Sequence, residues 1–422
     1  MKVLFVHNWF HIESGSGTCM FQEAGALRAA GHEVEFFCTD KRPHWDAGYG
    51  RTGLFPRFVD PAALGWGGRI RHAARPFHNR EAVRAMERML AAARPDVVHE
   101  HTTSFHLTPA VLGPCRRRGV PIVMTIHGAG LFCPAHSLVR GDGRRCATEP
   151  CIRGNALPAL VHGCLPGPRW HRAATALVHS WYHAAGYYRS PAAFVVASRA
   201  MRELALRAGI DERRLAVVPY GLDASQPGAP APARPREGFV YAGRLVREKG
   251  VHHLLRAAAL LERPPRLLIA GAGPEEGRLR ELAAALGLPH AEFLGWRSRR
   301  ELAELYRGAI ASVLPCDWFE AVGMSILEGF AQGTPAIASR IGGVPEFVED
   351  GVDGLLVEPG DVRQLAAALA RLEADPGLAV RLGVRGRERA LRDHRPDVHA
   401  DRVLQVYAAA IDGGVALPSS PC

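Results

Sequence analysis

The chain has 422 residues, 47% of them hydrophobic and 22% charged, with 45 Gly and 31 Pro. That composition, without a repeat, excludes collagen-like and wholly disordered chains and leaves length for two or three domains that each bury a core. The formal net charge of +10 is uneven: residues 1–224 carry 28 Lys+Arg against 17 Asp+Glu, and residues 225–422 carry 24 against 25. An anionic partner, whether phosphate, polyanion or membrane surface, is therefore sought in the N-terminal half.

In chain order, Lys2–His7 reads as a buried strand, too short in its apolar run for a signal peptide. Thr18–Ala30 reads as a helix closed by Gly31, and Glu33–Cys38 as a second strand. Residues 43–75 show no period. Asn79–Ala93 has apolar residues three and four apart and predicts a helix; Asp96–His99, Pro121–Ile126, Ala193–Ala197 and Leu215–Val218 predict further strands. Residues 226–236 hold four Pro and can be neither helix nor central strand, so they mark a linker. The alternation then restarts. Strands are expected at Gly238–Ala242, Arg266–Ala270, Glu292–Leu294, Ala309–Leu314 and Pro335–Ser339; helices at Val251–Leu261, Glu275–Leu286, Arg300–Arg307 and Val322–Gln332. A long Ala/Leu/Arg region closes the chain from Asp361. Strands alternating with helices argue for parallel sheets covered on both faces. The expectation is α/β: two Rossmann-like doubly wound domains facing a cleft, residues 1–225 and 237–395, with a helix and tail over 396–422 returning toward the first domain. No stretch nears the roughly 18–20 apolar residues of a spanning helix.

The strongest local pattern is Cys316-Asp-Trp-Phe-Glu320-Ala-Val-Gly323-Met-Ser-Ile-Leu-Glu328, continuing through Gly333-Thr-Pro-Ala-Ile-Ala-Ser339 to Gly342-Gly-Val-Pro-Glu346. A buried strand ends at Leu314, a loop carries Glu320, and a helix begins near Gly323. Free N–H groups at a helix start make an anion site, so Gly323, Met324 and Ser325 suit a diphosphate. Glu328 lies roughly one and a half turns deeper, where an acidic side chain suits a ribose diol. Glu320, in the preceding loop, is placed to reach a sugar.

This segment resembles glycosyltransferase family 4, retaining enzymes of the GT-B fold that use nucleotide-sugar donors. The resemblance implies a hexosyltransferase moving sugar from a nucleoside-diphosphate donor, bound by the C-terminal domain, to a carbohydrate or lipid-linked hydroxyl acceptor, bound by the N-terminal domain, in polysaccharide or glycoconjugate synthesis. It implies further roles by position. Tyr241-Ala-Gly-Arg244-Leu-Val-Arg-Glu-Lys249-Gly250 matches a strand-to-helix loop in which Arg244 and Lys249 grip the donor pyrophosphate. Two cations at a strand end also suit a leaving diphosphate. Glu292-Phe-Leu294-Gly matches the segment whose backbone meets the base. Gly15 and Gly17, in Ser14-Gly-Ser-Gly-Thr18, match a glycine-rich loop that precedes the first helix and approaches the donor phosphates. Thr125-Ile-His127-Gly places His127 at a strand end near the reacting sugar, where it would hydrogen-bond a hydroxyl or orient the acceptor. Tyr220 stands where the family often has Asn, which puts a polar contact there in doubt. A dinucleotide-cofactor reading of Gly15-x-Gly17 fails at Met20. Two rivals share the architecture: a non-hydrolysing sugar-nucleotide epimerase and a non-catalytic nucleotide-sugar-binding subunit.

No Asp-x-Asp occurs, so a divalent clamp on the pyrophosphate lacks its usual ligands and no cofactor is expected in catalysis. Residues 128–190 are individual. Cys133, Cys146, Cys151 and Cys164 have the spacing Cys-x12-Cys-x4-Cys-x12-Cys in a Gly/Pro/Arg-rich segment, and similar inserts occur in a subset of the family. Nine Cys without an export signal point to a reducing cytoplasm, where four thiols are candidate ligands of structural zinc or plain loop thiols. Arg116–Arg118, Arg140, Arg144, Arg145, Arg153, Arg169 and Arg172, with Trp170, Trp181 and Tyr182 close by, suit an anionic membrane surface on its inner face. No nucleic-acid module is recognised.

Overall fold

The structure is a computed structural model that describes all residues except 12–14, 42–43, 45–48, 61–62, 66, 69–71, 147–148, 223–235 and 414–422. Ser14 and the Pro-rich segment, Arg236 apart, thus lie outside the described residues. The chain divides into two compact units: Met1–Gly221 with Pro396–Cys422, and Leu222–Arg395.

The first unit holds a six-stranded sheet of β1 (Lys2–Trp9), β2 (Glu33–Thr39), β3 (Val97–Thr102), β4 (Ile122–Ile126), β5 (Ala193–Val196) and β6 (Leu215–Val217), in the order β2-β1-β3-β4-β5-β6. Every pairing is parallel, with Val3 opposite Val34 and Val97. Helices cover the sheet, so its strands are apolar on both faces: Val3, Leu4, Phe5 and Val6 are all buried. Phe5, Phe10, Phe21 and Phe36 stack into an aromatic core. Asn79 caps the Arg80–Ala93 helix through the Ala82 N–H, and Ser198 caps Arg199–Arg207 through Met201.

The second unit repeats the plan with β7 (Phe239–Ala242), β8 (Leu267–Ala270), β9 (Ala291–Gly295), β10 (Ala311–Leu314), β11 (Ala336–Ser339) and β12 (Gly354–Val357), ordered β12-β11-β10-β7-β8-β9 and again all parallel. Tyr241, Leu254, Ile269, Val313, Ile337 and Leu369 lie in its core. In both sheets the strand order reverses once, between β1 and β3 and between β7 and β10. Ligands of such sheets bind beyond the carboxyl ends of the strands at these switch points. Pro396–Ile411 follows the second unit in sequence yet belongs to the first.

Several elements differ from expectation, among them the unpredicted helices Arg169–Ala184 and Arg199–Arg207. The first helix is Gly15–Ala29, so Gly15 and Gly17 form its first turn rather than a loop before it. Glycine's low helix propensity argued for a loop, but a first turn needs few intrahelical bonds. β3 runs on to Thr102 and carries His99, Glu100 and His101 inside the sheet. β12 was not anticipated. Among the described residues no helix is long and apolar enough to cross a membrane.

Candidate active site

At the switch point of the second sheet, the loops after β7 and β10 are tied backbone to backbone. Gly250 has φ +70°, and a side chain there would run into the Pro315 carbonyl oxygen. The Asp317 N–H donates to the Glu248 carbonyl at 3.0 Å. This close approach brings Lys249 Nζ to 2.5 Å from Glu320 Oε2, with the two side chains only 17% and 15% exposed. The ammonium also lies 5.3 Å from the centre of the Trp318 ring. Tyr241 donates to the Arg244 carbonyl at 2.7 Å, fixing that backbone while the Arg244 side chain stays exposed.

Glu320 is held from the other side. Its carbonyl accepts the Gly343 N–H at 2.8 Å, and Gly342, at φ +56°, packs against the same carbonyl where a side chain could not fit. Gly323, at φ +81°, is the left-handed cap of the Met324–Ala331 helix. The first amides of that helix have no intrahelical acceptor. Tyr306, buried at 1% exposure, donates to Glu328 Oε2 at 3.5 Å. Leu294 packs against Val240, Leu268, Tyr306 and Ala309, so its side chain belongs to the core and leaves the backbone to meet a ligand. Arg244, Lys249, Glu320, Glu328, Gly323, Met324 and Ser325 therefore stand on the loops and the helix start at the carboxyl ends of β7 and β10. A cation beside a helix start can hold a diphosphate, and a carboxylate beside it can hold sugar hydroxyls.

Sequence reasoning missed Asp317 and its histidines. His253 Nε2 lies 2.7 Å and His252 Nε2 3.9 Å from Asp317 Oδ2. One ligand atom from each of the three falls within 4.8 Å of the others, a set able to hold a cation. Burial, then the neighbouring His253, pushes His252 down to about 4.

The first sheet gathers buried histidines at its own switch point. His7 in β1 shares a hydrogen bond with Ser16 Oγ at 3.0 Å, in the first turn that holds Gly15 and Gly17. His127 follows β4. Its Nε2 lies 3.0 Å from His101 Nδ1 and its Nδ1 2.8 Å from the Tyr220 hydroxyl. Tyr220 thus makes a definite polar contact, with His127 itself. Both ring nitrogens of His127 are engaged within the protein, so a hydrogen bond from its ring to a sugar must displace one of these partners. Burial is the main cause that pushes His127 down to about 3 and His7 to about 4, so both rings are neutral at pH 7. Burial also lifts the Glu100 carboxyl to about 8.

Behind them, Glu23 is buried but ionised. Burial opposes its charge; His99, whose Nδ1 lies 2.9 Å from Oε1, and His399, at 3.2 Å from Oε2, outweigh it and hold the carboxyl well below the usual range. Tyr407 donates to Glu23 Oε1 at 3.0 Å. Glu23, His99 and His101 also form a set with ligand atoms within 4.8 Å, though His99 Nε2 already lies 2.7 Å from Thr125 Oγ1. His101 Nε2 is buried without a hydrogen-bond partner among the described residues.

Cys133 and Cys151 are buried and Cys146 and Cys164 half-buried, all four unbridged. They lie in the segment between β4 and the Arg169–Ala184 helix.

Residues 14–226 match the profile of Glycosyltransferase Family 4, and residues 229–389 that of Glycosyl transferases group 1. A glycogen synthase of Mycobacterium tuberculosis is 32% identical over 328 residues, covering 76% of this chain and 70% of the relative. A D-inositol 3-phosphate glycosyltransferase of Acidothermus cellulolyticus is 33% identical over 359 residues, covering 78% and 70%. Among solved structures, sucrose-phosphate synthase of Thermosynechococcus elongatus superposes with TM-score 0.70 at 22% identity, covering 98% of this chain and all of that one. HepE of Anabaena, solved with UDP and glucose, superposes with TM-score 0.67 at 17% identity, covering 97% and 100%. At such identities these two likenesses speak for the fold.

Proposed function

The chain belongs to glycosyltransferase family 4, and from that premise we propose that it moves a hexose from a nucleoside-diphosphate sugar to a hydroxyl acceptor with retention at the anomeric carbon. The Lys249–Glu320 pair at the switch point carries the reading. The bond between C1 and the β-phosphate oxygen breaks, and the diphosphate departs with growing negative charge. Lys249, Arg244 and the first amides of the Met324–Ala331 helix offset that charge where it develops, which stabilises the transition state more than the ground state. The acceptor oxygen bonds to C1 on the same face, and its proton passes to the departing diphosphate oxygen. Glu320 accepts hydrogen bonds from the sugar, Glu328 holds the ribose diol and the Leu294 backbone meets the base. His127, kept neutral, gives up its Tyr220 or His101 partner to orient one acceptor hydroxyl. Protein groups supply all the charge offset, and the reaction takes no cofactor.

The HepE structure with UDP and glucose makes UDP-glucose the first donor to try. The acceptor is lipid-linked and presented on the inner face of an anionic membrane, in polysaccharide or glycoconjugate assembly. An exposed stripe supports this: Trp170, Leu177 and Trp181 are 70%, 58% and 46% exposed. They lie seven and eleven residues apart on one face of the Arg169–Ala184 helix, with Arg169 and Arg172 beside them.

Release of nucleoside diphosphate is measured from UDP-, GDP-, dTDP- and ADP-sugars with EDTA present. One base is expected to turn over only with acceptor. Lys249→Ala and Glu320→Ala are expected to lose about 100-fold or more in kcat while keeping the wild-type circular dichroism. Unchanged turnover in both variants refutes the assignment, and conversion of donor without acceptor points to an epimerase.

A further inference from the structure

The Val251–Ala259 helix opens with two consecutive histidines, His252 and His253. Val251, Leu254 and Leu255 face the core of the second unit, which leaves the two histidines off that face. Neighbouring residues on a helix point about 100° apart, yet these two rings stand 3.9 Å apart, centre to centre. Both converge on one oxygen: His253 Nε2 lies 2.7 Å and His252 Nε2 3.9 Å from Asp317 Oδ2. Asp317 belongs to another element, the loop after β10. Its own N–H on the Glu248 carbonyl and the approach of Gly250 to Pro315 hold that loop over the helix start.

A hydrogen bond between His253 and Asp317 accounts for one ring only, since at 3.9 Å His252 is beyond hydrogen-bond reach of the same oxygen. A metal ion accounts for both. Bonds of about 2.0–2.1 Å in a tetrahedral site hold the ligand atoms about 3.3 Å apart. The two observed distances straddle that value, so a small turn of the rings seats both nitrogens on one ion. His253 Nδ1 is buried without a hydrogen-bond partner among the described residues, so Nε2 is the nitrogen this ring presents. The His252, His253 and Asp317 side chains are 22%, 15% and 33% exposed, shielded yet open to an ion from solvent. Gly360, at φ +79°, borders the cluster. A side chain there would begin 3.7 Å from Asp317 Oδ1 and 3.9 Å from His253 Nε2, and its absence keeps that side clear.

The donor set selects the ion. Two imidazoles and one carboxylate suit zinc, cobalt or nickel, whereas magnesium and calcium prefer oxygen ligands. Arg247 and Arg256 act on His252 as positive neighbours. The local field therefore does not gather cations by charge alone, and bonds to nitrogen must hold the ion.

We propose that His252, His253 and Asp317 bind one zinc ion, which staples the start of the Val251–Ala259 helix to the loop after β10. The two Nε2 atoms and one carboxylate oxygen supply three ligands, and water supplies the fourth. Both imidazoles bind neutral with their protons on Nδ1, and no electron moves. Lys249 precedes His252 by three residues and Glu320 follows Asp317 by three. The ion therefore braces the two loops that carry the Lys249–Glu320 pair. Zinc here is a brace and not a cofactor of the transfer, so its presence is read from the metal and not from turnover.

The test uses the full chain, stripped with EDTA and dialysed under reducing conditions. In equilibrium dialysis, wild-type protein is expected to take up about one zinc more than His252→Asn/His253→Asn. Zinc held elsewhere, by thiols for example, cancels in that difference. Asp317→Asn, on the other element, is expected to lose the same equivalent. Excess zinc is expected to raise the wild-type unfolding temperature by about 3 °C or more beyond its effect on either variant, reversibly with EDTA. Magnesium is expected to give no such rise. Equal zinc uptake by wild type and both variants overturns the proposal. So does a zinc-induced rise of the same size in the double variant, or one that magnesium reproduces.

Discussion

At Gly250 a hydrogen atom in place of a methyl group lets Lys249 meet Glu320. The residue combines a φ of +70° with backbone contact to Pro315. An alanine would add about 1–3 kcal/mol of strain and push the two loops apart. Gly250→Ala is therefore expected to lower the unfolding temperature of the second unit and to cut turnover about 100-fold, read by calorimetry and by diphosphate release. A variant with wild-type melting and turnover would break the link between that approach and the site. Glu320, Gly323 and Glu328 could be placed together from the sequence because strand, loop and helix follow one another within a short span, whereas Lys249, 71 residues from Glu320, was named by the family resemblance alone. Partners far apart in the chain were not legible. Tyr220 meets His127 across 93 residues and Asp317 meets His253 across 64, and no local spacing encodes either pair.

Among the elements, the Arg169–Ala184 helix exposes two tryptophans and a leucine on one face. Trp170 and Trp181 are expected to carry its attachment to a lipid surface, with nearby arginines adding a salt-sensitive attraction. Co-sedimentation with phosphatidylglycerol vesicles is expected to fall about tenfold or more in Trp170→Ala/Trp181→Ala. Wild-type protein that ignores anionic vesicles at low salt would sink the idea. The same scale shows why some elements escaped the sequence. β12, Gly354–Val357, is set between Gly351-Val-Asp-Gly354 and Glu358-Pro-Gly360, whose turn-forming residues obscure it. The predicted strand stops at His99, yet β3 carries Glu100 and His101 on as buried residues; Glu23, Tyr407 and Thr125 supply the partners of His99, and His127 that of His101. The Gly-rich start of the first helix reads as loop for the propensity reason given above.

For the whole molecule, the buried histidines set the response to acid. His7 and His127 sit at about 4 and about 3, against 6.5 for an exposed ring. His101 is likewise pushed well below 6.5, by burial first and then by His99. As pH falls below 6.5, the unfolded chain takes up protons on these rings that the folded chain refuses. Stability is therefore lost toward pH 4, by about 1.4 kcal/mol per pH unit for each ring. Glu100 works in the opposite sense between 4.5 and about 8, because the folded state keeps its proton. His179, at about 3, and His252, at about 4, add to the same loss, and together these rings outweigh Glu100 below pH 6.5. The unfolding temperature is expected to fall steeply from pH 6.5 to 4, and Glu100→Gln is expected to flatten the decline on the alkaline side. A constant unfolding temperature from pH 6.5 to 4 would contradict this account.

The return of Pro396–Ile411 to the first unit makes the second unit an insertion within it. A nascent chain that has emerged only as far as Arg395 has everything the second sheet requires. Its first sheet, however, still holds the Glu23 carboxylate with His99 but without His399 and Tyr407, and taking partners from a charge of this kind is destabilising. The order of synthesis is thus the reverse of the order of completion: the unit translated first is finished last, when helix 396–411 joins it.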